Sequence, residues 1–252
     1  MDLALQGKLV AVTGAGAGIG AAITRLFVQL GAQVHAADRD AKGLAAPGAL
    51  PGVATHVVEL TDRIAAAGWI GTLERSTGRA VDVLVNNAGG SLGQTPRPIE
   101  DVTDADWDRI LAINLDAVFA LCRAVVPQMK RARRGRIITV SSRAGSNASL
   151  HGVQAYTAAK HAVNGLTRQL ASDLGPYGIT VNGVAPGLVL TNPARDRQWA
   201  SYGEAGQRAM LDRIGLRRLG TAEEVAKVVA FLASDLASFV NGVVIPVDGG
   251  HA

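Results

Sequence analysis

Short runs that are apolar nearly throughout alternate, along this chain, with longer stretches in which apolar residues return every third or fourth position. The short runs are Leu9–Thr13, Val34–Asp38, His56–Leu60, Val81–Asn86, Arg136–Ser141, Thr180–Ala185 and Val243–Val247. They lack strict in–out alternation, so they predict strands covered on both faces. Ile19, Ile23, Leu26, Phe27 and Leu30 form one stripe of a helix, and Gln154–Leu174 also reads as helix. This repeated order predicts an α/β fold: a doubly wound, mostly parallel, seven-stranded sheet with right-handed crossovers and helices on both faces. No linker divides the chain, so residues 1–252 are expected to form a single domain. Ala41–Gly52 and Thr191–Gly215 read as loops. The second mixes Arg, Asp and Gln with Trp199, Tyr202 and Met210, a composition suited to a lid.

Composition sharpens this picture at a few points. Hydrophobic residues are 48% and charged residues 18% of 252, which suits a buried sheet. Thirty glycines against nine prolines point to tight strand–helix junctions rather than disorder. The single cysteine, Cys122, excludes an internal disulfide and a cysteine-based zinc site, and no metal is expected. It lies in the apolar run Ala117–Val126, as a buried structural thiol would. Met1–Gly7 carries no basic segment followed by an apolar one, and no apolar run reaches the ~18 residues of a membrane span. A cytoplasmic protein with no membrane partner is therefore expected. Net charge is +4, and Lys130, Arg131, Arg133, Arg134 and Arg136 cluster together. No aromatic residues interleave them, so they read as a helix C-terminus followed by a turn at Gly135, and no nucleic-acid partner is expected.

The first strand runs into Thr13-Gly14-Ala15-Gly16-Ala17-Gly18-Ile19-Gly20 and then a helix. Glycines there let the backbone approach a pyrophosphate, and the helix N-terminus attracts the anion. Alone, such a loop also suits a structural turn, a flavin site or a methyltransferase. Asp38 ends the second strand, where a carboxylate accepts hydrogen bonds from an adenosine ribose. Its charge repels a 2′-phosphate, and Ala15 and Ala17 supply no cation. NAD is therefore expected over NADP, with Arg39 as the one neighbour able to pair a phosphate.

Tyr156 and Lys160 stand one turn apart on the predicted helix, so they share a face. A phenol, with a pKa near ~10, is a poor base at neutral pH, and an adjacent ammonium lowers that value. Ser141 and Ser142 follow a strand at its carboxyl end, where open α/β sheets bind their ligands. Either hydroxyl suits a substrate oxygen, or a turn cap.

With these residues in order, the chain resembles the short-chain dehydrogenase/reductase family over essentially its whole length. Thr13-Gly14-xxx-Gly18-Ile19-Gly20 resembles the family's cofactor loop, and Asn86-Asn87-Ala88-Gly89 its adenosine-side motif. Asn114 resembles the catalytic asparagine, and Ser142, Tyr156 and Lys160 the active-site serine, tyrosine and lysine. Pro186-Gly187 with Val189 and Thr191 resembles the segment at the nicotinamide end, and Val247-Asp248-Gly249-Gly250 the closing run. Glu59-Leu60 stands where the family more often has Asp or Asn before the apolar residue.

The resemblance implies a Rossmann fold and hydride transfer between NAD and a secondary alcohol or ketone. Tyr156 would be the general acid/base, Ser142 would hold the substrate oxygen, and Lys160 would bind ribose and lower the tyrosine pKa. Asn114 would position a water linking Lys160 to solvent. Cofactor contacts would fall on Gly14, Ala17, Gly18, Ile19, Asp38, Arg39, Glu59, Leu60, Asn87, Ala88, Gly89, Tyr156, Lys160, Pro186, Gly187, Val189 and Thr191. A homotetramer or homodimer burying helices around Asn114–Met129 and Gln154–Leu174 is also implied. Two rivals are an NADP-dependent 3-oxoacyl thioester reductase and a non-catalytic nucleotide-binding regulator on the same fold. Arg143, His151, Gln154, Arg195 and Arg197 are compatible with a polar or anionic substrate, although most of them are expected to face water.

Overall fold

The computed structural model describes residue 3, residues 5–149 and residues 153–251. Its frame is a seven-stranded sheet in the order β3-β2-β1-β4-β5-β6-β7, every neighbouring pair parallel. The strands are β1 Leu9–Thr13, β2 Gln33–Asp38, β3 Val53–Val57, β4 Val83–Asn86, β5 Gly135–Val140, β6 Ile179–Pro186 and β7 Val244–Val247. The helices are α1 Gly18–Gln29, α2 Ala45–Gly48, α3 Arg63–Thr77, α4 Asp104–Leu111, α5 Ala117–Ala132, α6 Gln154–Leu174, α7 Pro193–Ser201, α8 Gly203–Asp212 and α9 Ala222–Ala233. On one face α1 and α9 bury Ile23, Phe27, Val225 and Val229 against Val10, Val12 and Val34. On the other, α3, α5 and α6 bury Trp69, Ile70, Leu121 and Val163 against Leu9, Ala11 and Leu84. Two-sided burial is why the central strands carry no polar alternation.

Four expectations need correction. The third strand is Val53–Val57 rather than His56–Leu60. Gly52, at φ 81°, turns the chain into register, with Val53 opposite Val34. Beyond the strand, Val58 N still donates to Asp38 O at the end of β2, and the Glu59 side chain then accepts from Thr61 N and Oγ1 within a local turn. The segment 191–215 is two helices rather than a loop. Asn192 accepts from Arg195 N, and Pro193 occupies the first turn, so α7 has a defined start. Its ends are clasped by the bridges Val189–Gly220 and Ile214–His251. Ala41–Gly52, also read as a loop, contains the single turn α2.

The fourth lies at the basic end of α5. Residues Asp104–Ala132 form one continuous helical stretch, long and apolar enough to cross a membrane by those criteria alone. Ala117, Val118, Ala120, Leu121, Cys122, Val125 and Met129 of it pack into the core beside α3 and the sheet. Its basic end makes ordinary structural contacts: Arg134 pairs with Asp82, Arg136 with Asp235, and the Lys130 ammonium lies 4.3 Å from the Tyr177 ring centre. The turn there is made by Arg133, at φ 56°, and Gly135 already begins β5.

Cys122 is buried, as the sequence suggests, and burial pushes its thiol up to about 12. It should resist a disulfide reagent in the native protein and titrate as one thiol only after unfolding. Labelling kinetics in buffer and in denaturant check this, and fast native labelling would refute the packing described.

Candidate active site

One cleft of about 610 Å³ runs across the carboxyl ends of the strands, where the chain's path reverses between β1 and β4. That position and size are those of a ligand site in an open α/β sheet, typically about 300–1,000 Å³. Among the described residues no group of three or more His, Cys, Asp or Glu side chains is placed to hold a metal ion.

At one end the glycine loop joins β1 to α1. Ala17 caps α1 without a side-chain hydrogen bond, so the helix presents uncapped backbone N–H groups beside the cleft. A Cβ on Gly14, at φ 64°, would come within 2.8 Å of Asn87 Nδ2, and one on Gly18 within 2.6 Å of Thr191 Cβ. The loop therefore keeps a bare backbone surface of the kind a pyrophosphate needs. Asn87 ties it to β4: its Nδ2 donates to Thr13 O (2.9 Å) and Gly14 O (3.0 Å). Thr13 completes the tie by donating to Val85 O and accepting from Asn87 N and Ala88 N. The sequence reading took Thr13 only as the first residue of the loop motif and missed its tie to β4. Its only signal is a buried hydroxyl at a strand end.

Asp38 closes this end. Its Oδ2 accepts from Gly16 N and its Oδ1 from Asp40 N, both at 3.0 Å. The cleft rim here carries three carboxylates, Asp38, Asp40 and Glu59, against the single guanidinium of Arg39. Thr61 hydrogen bonds hold the Glu59 carboxyl below its ordinary range, and the Arg39 charge adds a smaller pull in the same direction.

At the other end, Ser142 and Tyr156 meet through a side-chain hydrogen bond, and Ser142 Oγ also accepts from Ala144 N at 3.1 Å. Ser141 does not compete for the role. It also lines the cleft, but its hydroxyl is committed: it donates to Asn164 Oδ1 at 2.6 Å, while Asn164 Nδ2 donates to Gly145 O. Asn164 lies one turn beyond Lys160 on the same face of α6, which is the signal that would have found it.

Lys160 is buried and donates from Nζ to Val140 O at 3.0 Å, with Nζ 5.7 Å from the Tyr156 ring centre. Desolvation lowers its pKa to about 8. Burial raises the Tyr156 phenol above 10, while the Ser142 hydrogen bond and then the Arg195 charge pull it back.

All the cofactor residues anticipated from the sequence line this one cleft, together with Ser142, Tyr156 and Lys160. Asn114 does not. It is fully buried, in a widened helical turn at Ala112–Asp116, and its amide is bound to Gly90 N, Gly90 O and Ile110 O, each at 2.9 Å. Gly89 separates it from Lys160: a Cβ there would meet Asn114 Oδ1 at 2.6 Å and Lys160 Nζ at 3.5 Å. Asn114 thus reaches the site through the backbone of Gly89–Gly90. Of the polar residues weighed for substrate, Arg143 and Arg195 line the cleft, Arg197 is exposed, and Gln154 donates to Arg97 O. His151 lies outside the described residues.

A family model described as enoyl-(acyl carrier protein) reductase matches residues 14–252. The 3-oxoacyl-(acyl-carrier-protein) reductase of Thermotoga maritima is 40% identical, with 98% of each chain covered. Cyclohexanol dehydrogenase of a Rhodococcus species is 37% identical over 99% of this chain and 97% of its own. The crystal structure of a putative NAD(P)-dependent gluconate 5-dehydrogenase from Beutenbergia cavernae, with NADP bound at low occupancy, superposes with a TM-score of 0.88. It is 37% identical over 99% of this chain and 98% of that one. The chain belongs to the short-chain dehydrogenase/reductase family. It is an NAD(P)-dependent oxidoreductase that interconverts a CH–OH group and a ketone by hydride transfer.

Proposed function

We propose that residues 1–252 form one dinucleotide-binding domain that uses NAD to oxidise a secondary alcohol, or reduce the matching ketone, at Ser142, Tyr156 and Lys160. The observation that carries this is the convergence of those three side chains with the bare glycine loop in a single cleft. Bound NAD supplies the hydride acceptor in oxidation and, once reduced, the donor in reduction. Gly14, Ala17, Gly18 and Ile19 would hold its pyrophosphate; Asp38 the adenosine ribose; Arg39, Glu59 and Leu60 the adenine; and Asn87, Ala88 and Gly89 the middle. Pro186, Gly187, Val189 and Thr191 would hold the nicotinamide end. Ser142 orients the substrate oxygen, and Tyr156 takes or returns its proton. Lys160 holds the nicotinamide ribose and, charged, stabilises the phenolate. Asn114 is a positioning residue that fixes the Gly89–Gly90 backbone against Lys160.

The acidic rim supports NAD. A 2′-phosphate would add a further charge of about −1.5 to −2 beside three carboxylates. Asp38→Ser should shift the ratio of kcat/KM for NAD over NADP by about tenfold or more toward NADP. Tighter use of NADP by the unaltered enzyme would sink this assignment. The competing reading, an NADP-dependent 3-oxoacyl thioester reductase, is favoured by the name of the Thermotoga relative and by Arg39 at the rim, and the same comparison decides it.

The enzyme is further read as cytoplasmic and as a homotetramer or homodimer, without membrane or nucleic-acid partner. Phe119 is 40% exposed on α5, an apolar residue such a subunit contact would cover. Sedimentation should give a dimer or tetramer; a monomer at micromolar concentration contradicts it.

A further inference from the structure

Tyr156, Lys160 and Asn164 follow one another at steps of one turn along α6. The first two belong to the proposed site, and the third is buried beside them at 1% exposure. Its amide joins two points of one short turn. Oδ1 accepts from Ser141 Oγ at 2.6 Å, where the chain leaves β5, and Nδ2 donates to Gly145 O at 2.9 Å, where the turn ends. Ser142 stands between those two points. The amide's orientation is forced, because a carbonyl oxygen only accepts. Nδ2 must face Gly145, which leaves Oδ1 for the Ser141 hydroxyl.

The start of the turn has other supports. Ser141 N donates to Val184 O at 2.8 Å, and Val140 O accepts from Lys160 Nζ, so β5 is fixed up to its end. Beyond Ser142 the backbone closes on itself: Gly145 N donates to Ser142 O, and Ser146 N to Arg143 O. The Gly145–Asn164 bond fastens this closed turn to α6. The seat is tight, since a Cβ on Gly145 would come within 2.7 Å of Asn164 Nδ2 and 2.8 Å of Lys160 O. Ser142 Oγ accepts from Ala144 N inside the turn and meets Tyr156, two turns before Asn164 on the same helix.

We propose that Asn164 is a positioning residue for hydride transfer: by tying both ends of the 141–145 turn to the tyrosine helix, it holds the Ser142 hydroxyl on Tyr156. This rests on the dehydrogenase reading above and deepens it. An apolar side chain of similar shape would fill the space, but only an amide meets a buried donor and a buried acceptor at once. A Ser142 hydroxyl that drifts loses the substrate oxygen and withdraws the hydrogen bond that favours the phenolate.

The test is a double-mutant cycle. Asn164→Leu keeps the branched shape and removes both bonds, while Ser142→Ala removes the hydroxyl being positioned. Turnover uses whichever of cyclohexanol, sorbitol and gluconate the unaltered enzyme oxidises with NAD⁺. Asn164→Leu alone should lower kcat about 10- to 100-fold while NAD⁺ affinity stays within about threefold. In a Ser142→Ala background the same change should cost no more than about twofold, because its target is already gone. Equal losses in both backgrounds, or a fall in NAD⁺ affinity matching that in kcat, would make Asn164 a packing residue and overturn the proposal. The midpoint of the pH profile for oxidation should also rise by about one unit in Asn164→Leu, and an unmoved midpoint refutes it.

Should the leucine variant not fold, Asn164→Asp decides. The new carboxyl, when protonated, accepts from Ser141 and donates to Gly145 O as the amide does; once ionised it cannot donate. Its kcat for ketone reduction, relative to the unaltered enzyme, should approach one at low pH and fall as pH rises. A ratio independent of pH overturns the proposal. A crystal structure with NAD⁺ needs no turnover: in Asn164→Leu, or in Asn164→Asp at high pH, Ser142 Oγ should leave hydrogen-bonding distance of Tyr156 Oη. A serine still in place overturns the proposal. A displaced serine supports it even if the unaltered enzyme oxidises none of the alcohols, a result that would count against the dehydrogenase reading alone.

Discussion

Tyr156→Phe should lower kcat about 1,000-fold in both directions, the scale of a lost general acid/base. The change removes one oxygen and keeps the ring against which Lys160 is placed. The glycine loop and Asp38 lie at the far end of the cleft and are untouched, so NADH affinity should stay within about threefold. Loss of kcat with binding retained marks an interaction made in the transition state rather than a damaged fold. The pH dependence carries the same signature. Oxidation needs the phenolate and reduction the phenol. Oxidation by the unaltered enzyme should therefore climb with pH while reduction falls on the alkaline side. In Tyr156→Phe both profiles should flatten. A variant that keeps its turnover, or whose profile keeps its slope, would take the proton transfer away from Tyr156.

Lys160→Met is expected to abolish turnover and at the same time make the cofactor-free protein more stable. The buried ammonium has its pKa depressed from 10.5 to about 8. The charged form is thus disfavoured in the fold relative to the unfolded chain. A shift of that size corresponds to roughly 3 kcal/mol at neutral pH. Methionine has similar length and no charge to desolvate. Replacing the lysine leaves Val140 O without the 3.0 Å hydrogen bond from Nζ, a cost of about 1 kcal/mol. The net gain is about 2 kcal/mol, or a rise in Tm of roughly 5 °C for a chain of this size.

The sign can be checked without the mutation. A lysine with a depressed folded pKa leaves the unfolded chain binding more protons between the two values. Its destabilising contribution is complete below pH 8 and is relieved as pH rises from about 8 toward 10.5. Denaturant titrations across that window should show a component of stability that rises with pH in the unaltered protein and is missing in Lys160→Met. A less stable variant would mean that the ammonium is better solvated than its burial implies.

What the sequence disclosed, and what it hid, follows from how each segment is packed. β1, β5 and β6 read cleanly because burial on both faces leaves uninterrupted apolar runs. β3 is an edge strand with Ala54, Thr55 and Val57 exposed, so its signal was weaker than that of Val58 and Leu60 just beyond it. α7 and α8 lie over the cleft rather than in the core, and α8 buries no residue. α7 has no apolar stripe to read, and only Asn192-Pro193 announced it, while α8 is short and its apolar side is not buried. Tyr156 and Lys160 were legible because one helix sets their spacing. Choosing between Ser141 and Ser142 needed the fold, because both line the cleft but the first commits its hydroxyl to Asn164 and only the second meets Tyr156. Asn114 was visible as a residue type, but its engagement with Gly90 depends on a hydrogen-bond shift in the helix that composition does not record.

The seam between β1 and β4 has a consequence for how the protein is made. β1 pairs on one side with β2, which follows it closely, and on the other with β4, whose Asp82 and Asn87 flank the strand and bind Leu9 N and Thr13 O. Those bonds join residues 73 and 74 positions apart. A ribosome adding about 5–20 residues per second exposes the open edge of β1 for several seconds before its partner exists. The glycine loop that β1 carries stays unsupported for the same interval. The nascent first three strands are therefore the stage most exposed to mispairing and to chaperone capture. The cleft is completed only when the later strands arrive to close the sheet on the far side of that seam.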